Sequence, residues 1–259
     1  MRLELKKPEQ IALMREAGRV VALTLKAVTG AAAPGVTTRE LDELATETIA
    51  AHGATSNFLG YGADVGPAFP GVICTSINDE TIHGIPSDRP LRDGDLLSID
   101  CGAVVDGWHA DAAVTVAIGE VPESHRELMR VTEQALWAGI AAMGSGRRVR
   151  DISRAIESFV GAQGPKYGIV PGYTGHGIGS ALHQDPDVPN VAPRRRSPRL
   201  VTGLVLAIEP MVVLGRPDVR EMPDQWTVAT VDGSVAAHFE HTVALTQSGV
   251  DVLTRVDVG

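Results

Sequence analysis

The run Leu96-Leu97-Ser98-Ile99-Asp100-Cys101-Gly102-Ala103-Val104-Val105-Asp106-Gly107-Trp108-His109-Ala110-Asp111-Ala112-Ala113-Val114-Thr115-Val116 decides the fold. Two strand-forming stretches flank Asp106-Gly107, a dipeptide that tolerates the positive φ angles of a two-residue hairpin turn. That turn sets the register. Asp111 falls opposite Gly102, two residues from Asp100, so both acids project from one face of the sheet. An ionised carboxylate taken out of water costs several kcal/mol or neutralises by binding a proton, so acids grouped on such strands imply a compensating cation.

Outward from this hairpin the chain reads as a duplication. A helical period opens at Pro8-Glu9-Gln10-Ile11 and continues through Leu25. After Ala33-Pro34-Gly35, Thr38 is expected to cap a second helix, with Leu41, Leu44, Thr48 and Ile49 on one face and its end near Gly53. The pair recurs: one helix from Pro122-Glu123-Ser124 to Met143, another from Asp151 to Gly164, with Leu128-Met129-Arg130 repeating Leu13-Met14-Arg15. Thr230-Val231-Asp232-Gly233 before Glu240-His241-Thr242-Val243 predicts a second hairpin, with Glu240 in the place of Asp111. Glu209 closes the apolar run Leu204–Ile208 as Asp100 closes Leu96–Ile99, and His176 sits in Thr174-Gly175-His176-Gly177-Ile178-Gly179, read as a tight loop. The expectation is one α+β domain over residues 1–259, with halves of about 1–120 and 121–259, a central antiparallel sheet, flanking helices and a site between the halves.

Composition narrows the function. Of 259 residues 44% are hydrophobic and 21% charged, which excludes a disordered chain. The chain has no apolar run near the roughly 20 residues of a membrane helix, and its first residues lack a secretory signal, so a soluble cytoplasmic protein without membrane partners is expected. A net charge of −9 repels nucleic acid as substrate. Cys74 and Cys101 lie in apolar runs and read as reduced thiols. The glycines at 175–179 lack the Gly-Lys-Ser/Thr ending of a phosphate loop, which argues against nucleotide binding. Pro193-Arg194-Arg195-Arg196-Ser197-Pro198-Arg199 is a compact basic run, read as a solvated loop with transient ribosome contact as its functional alternative.

In order along the chain, Asn78-Asp79-Glu80-Thr81-Ile82-His83-Gly84, Leu97-Ser98-Ile99-Asp100-Cys101-Gly102, His109-Ala110-Asp111, Gly175-His176-Gly177, Leu182-His183-Gln184-Asp185-Pro186, Ile208-Glu209-Pro210 and Phe239-Glu240-His241-Thr242 closely resemble type I methionine aminopeptidases. The resemblance implies the pita-bread fold, with two pseudo-symmetric halves around a dinuclear metal centre. It implies Asp100, Asp111, His176, Glu209 and Glu240 as ligands, Asp111 and Glu240 bridging. It also implies removal of N-terminal methionine from nascent proteins and peptides whose second residue is small. Glu209 would shuttle protons, His183 would stabilise the tetrahedral oxyanion, and His83 would meet the substrate near the scissile nitrogen. His109 and His241 would support the site from outside it. Tyr61, Phe69, Cys74 and Trp226, with Phe58 and Leu182 nearby, would receive the methionine side chain. Oxygen-rich ligation favours two divalent ions of cobalt, manganese or ferrous iron over zinc. A monomer is expected.

Two departures from the family pattern fall at the pocket: Gly62–Ala68 is longer than the common loop, and Phe58 replaces a smaller residue. The rivals are a proline-directed aminopeptidase, which carries an additional N-terminal domain, and a non-catalytic pita-bread binding protein, which lacks the metal residues. The short interval between Glu209 and Glu240 leaves no room for the helical insertion of the type II enzymes.

Overall fold

The computed structural model describes residues 3–255. Among the described residues four helices form as two pairs: α1 (Pro8–Ala31) with α2 (Thr38–Ala51), and α3 (Glu123–Ser145) with α4 (Val149–Ala162). The first outruns its expected end by nearly two turns because Val28 continues the apolar face of Ile11, Met14, Ala17, Val21 and Thr24. Thr37, not Thr38, caps α2: its hydroxyl accepts from Glu40 N at 3.2 Å while Glu40 Oε2 accepts from Thr37 N at 2.7 Å. Thr38 instead ties the helix to the Ser87 backbone, accepting from Ser87 N at 2.8 Å. In α4 the Asp151 carboxylate accepts from Arg147 N and Arg148 N, so the helix starts two residues before the expected position.

Every paired strand runs antiparallel. One sheet holds Thr55–Ser56, Leu96–Val105, Ile73–Ile77 and Trp108–Ala117; another runs Gly249–Val252, His241–Thr246, Val205–Ile208, Thr174–Gly177, Gln184–Pro189. Two three-stranded sheets complete the set. Helices α1 and α2 cover the first sheet with a core of Val21, Leu41, Ile49, Ile99 and Cys101. Leu128, Leu136, Ile152 and Ile156 of α3 and α4 pack on Leu206, Ile208 and Val243 of the second. The expected single central sheet is thus divided by strand pairing into four, but the two larger sheets meet in the middle. Ala113 and Glu240 exchange both backbone hydrogen bonds, at 2.9 and 3.3 Å. On one side the Thr242 hydroxyl accepts from Asp111 N and donates to Asp111 O; on the other, the Thr115 hydroxyl does the same for His238.

The first hairpin has the expected register, Gly102 opposite Asp111 and Asp100 opposite Ala113. Asp100 lies mid-strand rather than at a strand end. The second hairpin does not form. Val228–Thr230 pairs with Val219–Glu221 and Glu80–Ile82, whereas Ala236–His238 pairs with Met211–Val213, so Asp232-Gly233 turns the chain from one sheet to another. His176 is likewise on a strand, Thr174–Gly177, and not in a loop. Its glycines serve close approach: a Cβ on Gly175 would lie 2.3 Å from Ala207 O and one on Gly177 2.3 Å from Asp185 O. Gly175→Ala is therefore expected to destabilise the fold by about 1–3 kcal/mol, the range for overpacking; an unchanged urea midpoint would refute that reading.

Candidate metal centre and pocket

Two strand pairings deliver the acids. The hairpin puts Asp100 and Asp111 on one face, close enough for each to shift the other's titration. In the second large sheet His241 pairs with Ile208, so Glu240 and Glu209 sit one step beyond that pair, side by side. His176, paired with Ala207, comes from the neighbouring strand. Ligand atoms of Asp111, His176 and Glu240 lie within 4.8 Å of one another, all buried. His176 Nε2 is 3.5 Å from Glu209 Oε1.

None of the ion pairs among the described residues joins a lysine or arginine to these four acids. Burial holds the Asp100 carboxyl up at about 7. Burial first, then the neighbouring carboxylates, push Asp111, Glu209 and Glu240 well above the usual carboxylate range. One oxygen each of Asp100, Asp111 and Glu240 is buried without a hydrogen-bond partner among the described residues. Buried acceptors are ordinarily paired, so these oxygens want a cation. The imidazole is prepared for the same partner. Its Nδ1 is 3.0 Å from Gly177 O, an acceptor only, so Nδ1 carries the proton and Nε2 presents a lone pair. Burial lowers the His176 pKa to about 3, which keeps that nitrogen neutral. The donor set fits divalent ions rich in oxygen ligands.

Above the acids lies a cavity of about 110 Å³. Every site residue expected from sequence faces it: Tyr61, Phe69, Cys74, His83, His183 and Trp226 with the five acid and imidazole groups, and Phe58 and Leu182 complete the wall. The aromatic rings meet edge to face, Phe69 on Trp226 at 5.3 Å and Phe58 on Phe69 at 6.4 Å. His183 meets the His176 ring edge to face at 4.2 Å, and its Nδ1 is 2.7 Å from the Tyr61 hydroxyl. His83 takes a left-handed conformation (φ 59°), its ring between Tyr173 and Trp226. Burial holds it near 4, so it is neutral at pH 7. Cys74 and Cys101 are both free thiols. His109 is half-buried beside Asn57, and the His241 ring meets Thr254 Oγ1 at 2.8 Å, both away from the cavity wall.

Sequence reasoning missed three supporting residues. His238 is buried with Nε2 3.9 Å from Glu209 Oε2. Asn190 donates to Glu209 O at 3.0 Å, and Thr242 locks the backbone of Asp111. Two-residue alternation back from Glu240 would have singled out His238; nothing local marks Asn190.

A sheet-built cluster of buried acids under an apolar pocket, in this α+β arrangement, is the architecture of a metal-dependent peptidase. The profile of metallopeptidase family M24 matches residues 12–247. The chain is 50% identical over 246 residues to methionine aminopeptidase 1 of Mycobacterium tuberculosis, covering 93% of this chain and 91% of the relative. The crystal structure of methionine aminopeptidase from Thermotoga maritima superposes with a TM-score of 0.93 at 37% identity, covering 98% of this chain and 100% of that one. Prolidase from Pyrococcus furiosus shares the fold at a TM-score of 0.76 and 21% identity, with 98% of this chain matched but only 66% of the prolidase. The chain belongs to metallopeptidase family M24, among its methionine aminopeptidases.

Proposed function

We propose that this chain removes the N-terminal methionine from nascent proteins and peptides whose second residue is small, acting as a single catalytic unit, as a monomer, in the cytoplasm. The carrying observation is the group of buried acids, without a lysine or arginine partner among the described residues, with one neutral imidazole under a small apolar cavity. Asp100, Asp111, His176, Glu209 and Glu240 would hold two divalent ions, manganese, ferrous iron or cobalt. When bound, such ions offset the carboxylate charge, acidify a water and polarise the scissile carbonyl.

The chain's own groups divide the remaining work. The cavity lies above the acids, walled by apolar and aromatic side chains. Phe58, Phe69, Trp226, Leu182 and Cys74 give a methionine thioether apolar and aromatic surface, and their packing keeps bulk water out. Glu209 takes a proton from the nucleophile and returns it to the leaving amine. If the Tyr61 hydroxyl donates to His183 Nδ1, the Nε2–H of His183 is free to donate to the oxyanion. His83, neutral, accepts or donates near the scissile nitrogen. A peptide panel tests the reading: Met-Ala-Ser is cleaved, while Ala-Pro-Ser and acetylated Met-Ala-Ser are not. Cleavage of the Xaa-Pro peptide in preference would transfer the chain to the proline-directed class.

The basic run at Arg194–Arg199 adjoins Arg147 and Arg148, and Arg196 and Arg199 depress the Arg148 guanidinium after its partial burial. Clustered positive charge on an otherwise acidic protein suits transient contact with ribosomal phosphate. Cosedimentation with ribosomes is expected to fall when Arg194, Arg195, Arg196 and Arg199 are replaced by alanine, and its persistence argues for a merely solvated loop.

A further inference from the structure

The pocket explains one side chain of a substrate; the residues after it must leave through the mouth. Among the described residues six large hydrophobic side chains are exposed, and three of them, Leu59 (59%), Tyr61 (42%) and Val65 (87%), fall within one seven-residue stretch beside that mouth. Isolated exposed hydrophobics need no explanation, but a group of them on one loop does.

The loop is built, not frayed. Gly60 N donates to Phe69 O and Phe69 N to Tyr61 O, both at 2.9 Å, which closes residues 60–69 on themselves. Trp226, a wall of the pocket, donates Nε1–H to Pro67 O at 3.0 Å. Gly62 lies so close over the same ring that a Cβ there would sit 2.9 Å from Trp226 Cη2. Val65 N and Gly66 N both donate to Gly62 O at 3.0 Å, so the turn carrying Val65 rides on the Trp226 edge. Tyr61 joins inside to outside, its hydroxyl on His183 and its ring partly in water. On the far side of Phe58, Leu59 is pinned by its N–H to Ser56 Oγ.

We propose that Leu59, Tyr61 and Val65 form an extended subsite for apolar side chains at the third and fourth substrate positions. The occupant is the substrate itself, because Tyr61 and Trp226 wall the pocket that receives the substrate's first residue, Leu59 follows the wall residue Phe58 in the chain, and the turn carrying Val65 rests on Trp226 through Gly62. The inference rests on the aminopeptidase reading and adds a sequence preference to it.

Two peptides of equal length, Met-Ala-Leu-Val and Met-Ala-Ser-Gln, test it with wild type and with the double variant Leu59→Ser/Val65→Ser, both sites being too exposed to threaten folding. Wild type is expected to favour the apolar peptide by about three- to tenfold in kcat/KM, mainly through KM, the scale that partial burial of one or two aliphatic side chains supports. In the variant the ratio falls towards one. A wild-type ratio near one, or a preference surviving in the variant, overturns the subsite. So does light scattering showing a wild-type dimer that the variant loses while the peptide ratio stays put, since the patch would then serve a second copy. Wild-type turnover of Met-Ala-Ser in the same assay separates failure of the rim from failure of the aminopeptidase reading.

Discussion

Glu209→Gln is expected to lower kcat by about a thousandfold while leaving the chain folded. General acid–base groups contribute roughly 10²–10⁴-fold, and a thousandfold is about 4 kcal/mol of barrier. The amide has the same shape, so His176 at 3.5 Å, His238 at 3.9 Å and Asn190 on the backbone carbonyl keep their places. It can neither accept the nucleophile's proton nor contribute charge to an ion. Elemental analysis of the same sample divides the two losses. Activity within tenfold of wild type at equal metal content would remove Glu209 from the proton path.

The second large effect is a pH dependence of the metal-free chain. Asp100 is held at about 7, and Asp111, Glu209 and Glu240 well above their ordinary range, by burial that disfavours the charged form. An acid whose folded pKa is raised contributes stability that is complete below its unfolded pKa, about 4, and is lost as pH rises through the folded one. The buried histidines act oppositely. His176 and His238, lowered to about 3, and His83 and His241, lowered to about 4, contribute stability above about 6.5 that disappears as pH falls. Below pH 6.5 the two sets oppose each other; above it only the acids titrate. Each carboxyl still protonated there costs about 1.4 kcal/mol per pH unit, so stability falls as pH rises above 6.5. Urea denaturation with chelator present should show that fall, and added divalent ion should flatten it, since ligation replaces the protons. Equal stability of the chelated protein at pH 6.5 and 8 would mean the acids already have another partner. By the same logic Glu209→Gln should make the metal-free chain more stable at pH 8, the catalytic acid being a liability without its ions.

The first hairpin shows what local sequence can carry. Asp106-Gly107 closes a turn between strands adjacent in the chain, so the relation of Asp100 to Asp111 needed no distant contact. Asp232-Gly233 offers the same dipeptide and a different result. Thr230 is already paired with Val219, and Ala236–His238 finds its partner in Met211–Val213, so the turn changes sheets instead of joining two strands. His176 was misread for a related reason. Glycines at 175 and 177 look like a loop along the chain, but they are small because Ala207 O and Asp185 O press against them from elsewhere.

The helix pairs, the hairpin register and the acids were set by the order of residues, because periodicity, turn chemistry and motif spacing act over short stretches of backbone; the aromatic wall was implied only by the family resemblance. How Asp111 reaches Glu240, why His176 is held neutral, and that Asn190 stands behind Glu209 were decided by tertiary structure alone. These depend on the Ala113–Glu240 backbone exchange and on burial, and both come from pairing segments more than a hundred residues apart or from exclusion of water by the assembled core. Sequence could name the charges; only the fold could take them out of water together.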